Sequence, residues 1–170
     1  MASVIQELIS VLKEEQQIYD ALIPVASEKT NVIIKNNLES LQKITEQEQE
    51  LVDQVTVLEK KRSEVIVNIG IILNRDAADI KLRDIIKVLD NSPEEQRELS
   101  LLHDDLKRTV QRLADINFQN KSLIEQSLDM IEFNMNLIQS TRMSPGNNYS
   151  KGAVTVDAPA LQAGTFDAKQ

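Results

Sequence analysis

The chain has 170 residues, 27 of them acidic against 19 basic, for a net charge of −8. It has no cysteine, and only 3% of its residues are aromatic. These features exclude a disulfide framework and a cysteine metal site, and the acidic balance argues against nucleic-acid or anionic-membrane binding.

The length suits one domain or one bundle with a tail, and a chain rich in leucine and isoleucine but poor in glycine suits helices rather than sheets. The opening MASVIQELISVLKEEQ carries charge every few residues, so it is not expected to act as a signal peptide. No segment is apolar enough to suggest a membrane span, and a soluble cytoplasmic protein is expected.

The spacing predicts a first helix opened by a Ser3–Gln6 capping box, with Ile5, Leu8, Leu12, Tyr19, Leu22, Ala26 and Ile33 on one face. Its step near Glu15 or Gln16 is polar. Pro24 removes a backbone donor inside the pattern, which predicts a kink or restart near Leu22–Val25. Asn36-Asn37 favours a turn, with Asn37 placed to cap the second helix.

The second helix has the cleaner heptad register: Leu41, Ile44, Glu48, Leu51, Val55, Leu58, Arg62, Val65, Ile69 and Ile72. Glu48 and Arg62 interrupt it and are expected to snorkel at an imperfect seam. Asn74-Arg75-Asp76 ends the helix, and a short amphipathic piece follows with Ile80, Leu82, Ile85, Ile86 and Leu89 facing inward. Ser92-Pro93-Glu94-Glu95 then combines an N-cap serine, a first-turn proline and a third-position glutamate. The helix it opens runs to about Thr141 without proline or glycine, a rod of roughly 70 Å at ~1.5 Å per residue. A helix of that length needs neighbours.

Little in the chain is suited to catalysis. His103, the only histidine, has no second histidine or glutamate at ligand spacing. There is no phosphate loop or nucleophile elbow, and the carboxylates are scattered over helix faces. No enzyme activity, cofactor, metal or small-molecule substrate is expected.

The distal part of the last helix, NFQNKSLIEQSLDMIEFNMNLI from Asn117 to Ile138, is of a different character. Lys121, Glu125, Asp129 and Glu132 cluster on one side of a helical wheel. Opposite them lie Ile116, Leu123, Ile124, Leu128, Ile131, Met135 and Ile138, and Met130, Phe133 and Leu137 widen the apolar arc. The seam itself carries Asn120, Ser127 and Asn134 at heptad intervals.

Two readings stand. In the plainer one Phe118, Leu123, Ile131, Phe133 and Leu137 are core, with Ile124 and Ile131 at its centre. In the other the seam is open until a partner arrives, and Asn117, Asn120, Asn134 and Asn136 offer it amide groups; adaptable methionines suit such a surface. The partner in that case is either another protein or a second copy. After Met143 the chain turns to Pro, Gly, Ala, Ser and Asn without periodicity, which predicts a bundle over 1–142 and a disordered tail over 143–170.

The block N-K-S-L-I-E-Q-S-L-D-M-I-E-F-N-M-N-L-I, Asn120 to Ile138, resembles the C-terminal helix of the FlgN-like flagellar export chaperones. N-L-E-S-L-Q-K-I-T-E-Q-E-Q-E-L at Asn37 to Leu51 is similar to that family's second-helix entry, and the resemblance covers roughly Val4 to Ser150. The elements read above, three long helices and one short one with brief connections, favour antiparallel packing, and the resemblance implies an elongated all-α bundle. It also implies a cytoplasmic chaperone that binds hook-associated (hook–filament junction) proteins, prevents their premature assembly and delivers them to the type III export gate. By position the resemblance assigns client binding to Leu123, Ile124, Leu128, Ile131, Phe133, Asn134, Leu137 and Ile138. Tyr149, with Gly152, matches a tail tyrosine and glycine, implying a contact with the export gate. The competing reading is a homodimeric structural coiled coil with no client.

Overall fold

The computed structural model describes residues 2–143; the expected tail, with Tyr149 and Gly152, lies outside the described residues. The elements are α1 (Ala2–Ile34), α2 (Leu38–Leu73), a 3-10 turn (Ala77–Asp79), α3 (Leu82–Val88) and α4 (Pro93–Met143). The chain divides into two compact units, Met1–Glu132 and Phe133–Gln170.

Local chemistry sets most of these boundaries. Asn36 takes a left-handed conformation, which asparagine tolerates, and the Asn37 side chain accepts the Ser40 amide to cap α2. At the other end Asn74 is left-handed as well, and Arg75 N–H bonds to the Gly70 carbonyl while Asn74 N–H bonds to that of Ile71. Gly70 fits because a Cβ there would stand 2.9 Å from the Arg75 carbonyl oxygen. Asp76 then caps the 3-10 turn through Ala78 N–H.

Two expectations for α1 are corrected. Ser3 is inside the helix, which starts at Ala2, and the Gln6 amide donates to Glu95 at the head of α4 instead of closing a capping box. Pro24 causes no restart, since α1 is one helix across it. Pro24 is exposed, so its ring lies on the solvent side of the helix rather than against a packed neighbour.

In the first unit α1 and α2 form an antiparallel pair, with Glu15 bonded to Arg62 and Lys29 to Glu48. α4 runs parallel to α1: Gln6–Glu95, Gln16–Thr109 and Thr30–Asn120 are hydrogen-bonded 89, 93 and 90 positions apart. The result is an up-down-up bundle, with α3 contributing at the end where α1 begins. There Ile5, Leu8 and Leu12 meet Val65, Ile69, Ile80, Ile85, Leu89, Leu99 and Leu106 in the main apolar core. The heptad reading of α2 holds, with Ile44, Val55, Leu58, Val65 and Ile69 buried. Ile72, in its last turn, is exposed.

The charged seam residues of α2 both reach partners on α1, and Arg62 keeps 36% of its side chain exposed while doing so. Glu15 fills the polar step of α1 at 0% exposure, its Oε2 2.8 Å from Arg62 Nη1, and Glu48 pairs with Lys29. Two charged steps on α2 thus meet two opposite charges on α1, and one register satisfies both. Burial raises the Glu15 carboxyl above its ordinary value; Arg62 opposes that rise and Glu59 adds to it. The nearby Tyr19 hydroxyl is raised as well, by burial and then by the charges of Glu59 and Glu15.

Candidate partner-binding surface on the last helix

α4 begins at Pro93, as its serine-proline-glutamate signal predicts, and its near end is anchored by apolar burial. Leu99 and Leu106 are buried and Leu102 packs against the same core. Farther along the anchoring becomes polar. Gln16 Nε2 donates to Thr109 Oγ1, and Asn120, at 3% exposure, is held twice by α1. Thr30 Oγ1 donates to Asn120 Oδ1 at 2.6 Å, and Asn120 Nδ2 donates to the Ala26 carbonyl at 2.9 Å.

This settles one expectation against the open-seam reading. Asn120 offers nothing to a partner because α1 already uses both ends of its amide. It fixes the height of α4 against α1, much as a lone seam asparagine fixes register in a coiled coil. Asn120→Leu is expected to lower stability by about 1–2 kcal/mol, because Thr30 loses its acceptor and the larger apolar group meets the polar site. Urea unfolding checks this, and a variant as stable as the parent would remove Asn120 from the register argument.

Beside Asn120 an open hollow lies between α2 and α4, with Thr45, Gln49 and Val52 on one wall and Asn117, Lys121 and Ile124 on the other. The Lys29–Glu48 pair lines it too.

The assigned residues divide by position. Leu123 and Ile124 are half-buried at the end of the covered stretch, and Ser127 spends its hydroxyl on the Leu123 carbonyl of its own helix. From Leu128 onward every described side chain of α4, through Thr141, is exposed. In the first unit Leu128, Met130 and Ile131 are each more than half exposed. In the second unit the same holds for Phe133, Met135, Leu137 and Ile138, and Asn134 is exposed with them.

The plain core reading therefore fails for Ile131, Phe133 and Leu137, and for Phe118, which is 75% exposed. For Ile131, in the first unit, the cause is register. Ile34, the last residue of α1, comes level with the 124–128 stretch of α4 when the Thr30–Asn120 and Ala26–Asn120 spacings of 90 and 94 are continued. Past that level α1 has no residues left to cover α4.

The chain matches the family described as FlgN protein over residues 1–156. It belongs to the FlgN family. That family comprises flagellar export chaperones and is not known for enzymatic activity. Comparison with curated proteins and with solved structures found no match.

The helices of this FlgN-family chain agree with that membership: three long ones and a short one, with none among the described residues long and apolar enough to cross a membrane. Sequence reasoning missed Ile34 and Leu38, exposed apolar residues flanking the α1–α2 turn. Their signal was available, since both are large aliphatics beside a turn whose asparagines were recognised.

Proposed function

We propose that this chain is a cytoplasmic type III export chaperone that binds hook–filament junction proteins, keeps them from premature assembly and delivers them to the export gate. One observation carries the reading: the exposed apolar run of α4, with Leu128, Ile131, Phe133, Leu137 and Ile138 available in a protein of a chaperone family. Monomeric proteins rarely leave so many large apolar side chains together in water unless something covers them. Leu123 and Ile124 border this run, and exposed Asn134 offers an amide within it. Tyr149 is the candidate contact to the export gate.

A client that is unfolded before assembly can lay an amphipathic helix on such a surface. Covering one Phe, Leu or Ile contributes about 1.5–3 kcal/mol, so a few of them give useful affinity while leaving release feasible. No cofactor or small molecule is needed.

The test is calorimetric titration with terminal segments of the hook–filament junction proteins from the same genome. Saturable binding is expected, with Phe133→Ala weakening it roughly tenfold, equivalent to about 1.4 kcal/mol, and circular dichroism unchanged. Failure of every segment to bind, together with a concentration-independent dimer in light scattering, would leave the structural coiled coil as the better account.

A further inference from the structure

Where α1, α2, α3 and α4 meet, Glu15 borders a hollow that Tyr19, Arg62, Leu82, His103 and Lys107 also line. All of them belong to the first unit. Glu15 is fully buried, yet only one of its two carboxylate oxygens is satisfied. Oε2 accepts from Arg62 Nη1, and no group of the protein bonds to Oε1. A buried carboxylate with an orphaned oxygen is costly while charged and much less so once neutral. Its cation is not locked in place either. Arg62 is partly exposed, and its one hydrogen bond among the described residues runs to Glu15.

A second carboxylate competes for that guanidinium. Glu59 stands one turn before Arg62 on α2, exposed and in no ion pair among the described residues. Its charge adds to the effect of burial on both Glu15 and Tyr19. α4 faces the hollow with Lys107 and with His103, whose Nδ1 bonds to Asp104, while α3 contributes only Leu82. These basic groups oppose a bound cation and Glu15 opposes a bound anion, which leaves the proton as the species that relieves the buried charge. Elsewhere on the same helix pair, Lys29 and Glu48 are both partly exposed and hold α1 and α2 in register whichever state Glu15 takes.

We infer that Glu15 and Arg62 form a proton-operated joint between α1 and α2. With Glu15 ionised, the guanidinium spans the two helices; with Glu15 protonated, it passes to Glu59 on its own helix. Burial, the largest influence, holds the Glu15 carboxyl above its ordinary value, with Arg62 opposing and Glu59 adding. A group raised in this way stabilises the fold fully below its unfolded value and loses that contribution as pH rises through the folded value. Acidification from neutrality therefore releases Arg62 and, through Glu15, firms the fold.

Carbon and nitrogen NMR of the full chain, titrated from about pH 7 to about pH 4, follows the Glu15 carboxyl and the Arg62 guanidinium separately. Glu15 is expected to titrate above the ordinary carboxylate range, with the Arg62 signals moving at the same midpoint. Glu59→Gln is expected to lower the Glu15 midpoint, since it removes a like charge and leaves Arg62 to Glu15 alone. In Glu15→Gln the Arg62 signals should no longer move at that midpoint. The rise in urea midpoint between pH 7 and pH 5 should also be smaller in Glu15→Gln than in the parent. A Glu15 midpoint at or below the ordinary range, or Arg62 signals that ignore it, overturns the joint, and neither result needs a variant to fold. A Glu15 midpoint unchanged by Glu59→Gln overturns the exchange as well.

Discussion

Replacing Arg62 by methionine is expected to cost about 2–3 kcal/mol at neutral pH, with most of the loss recovered in mild acid. Glu15 is fully buried, its Oε2 bonds only to Arg62, and its Oε1 has no hydrogen-bond partner. Removing the guanidinium strands a fully buried carboxylate with no other hydrogen-bond partner and with the Glu59 charge nearby. Breaking a fully buried pair costs about 3–5 kcal/mol, but Arg62 is 36% exposed and Glu15 can take up a proton, so the lower figure applies.

The pH dependence follows from the raised Glu15 carboxyl. A group whose folded value lies above its unfolded one stabilises fully below the unfolded value, and that contribution is lost as pH rises through the folded value. The deficit of the variant should therefore shrink as pH falls from neutrality toward the ordinary carboxylate range, where a neutral Glu15 no longer needs Arg62. Urea unfolding at pH 7 and pH 5 reads this directly. A deficit equal at both would show that the Arg62 stem, packing against its neighbours, is what matters. Pairing Arg62→Met with Glu15→Leu should restore stability, since an apolar pair of similar volume removes the desolvation cost.

Leu99→Ala is expected to cost about 3–4 kcal/mol, whereas Leu137→Ala should change stability by less than about 0.5 kcal/mol. The two leucines share one helix and one apolar pattern, but Leu99 is 0% exposed in the main core and Leu137 is 52% exposed. Truncating Leu99 leaves a cavity where α4 joins α1, α2 and α3; truncating Leu137 removes atoms already in water. Thermal unfolding of the two variants side by side measures the contrast. A large loss from Leu137→Ala would mean that this side chain is covered in solution, and the binding surface would have to be withdrawn from it.

The elements themselves were legible because their causes are local. The Asn36-Asn37 turn, the Asn74 stop and the Ser92-Pro93 start depend on backbone conformations that those residue types favour over a few positions. Burial along α2 was legible for a related reason, since a heptad pattern states which face of a helix is to be covered. The same logic failed at Ser3 and Pro24, where neighbours outside the local window intervene. Glu95 takes the Gln6 side chain, and water meets the exposed proline.

A helical wheel does not say how far along a helix its neighbour reaches. Asn120 and Asn134 occupy the same heptad position and look alike in sequence, yet one is locked to Thr30 and Ala26 and the other stands in water. In the same way the sequence placed Glu15, Glu48 and Arg62 at interrupted seam positions, but their partners lie 47 and 19 residues away, beyond any local pattern. The amino-acid sequence by itself determined the helical class of the described residues, most of the element boundaries and the apolar character of distal α4. Only the tertiary structure decided where cover ends, because that depends on the height at which α1 meets α4, and the height is set by a few long-range polar contacts.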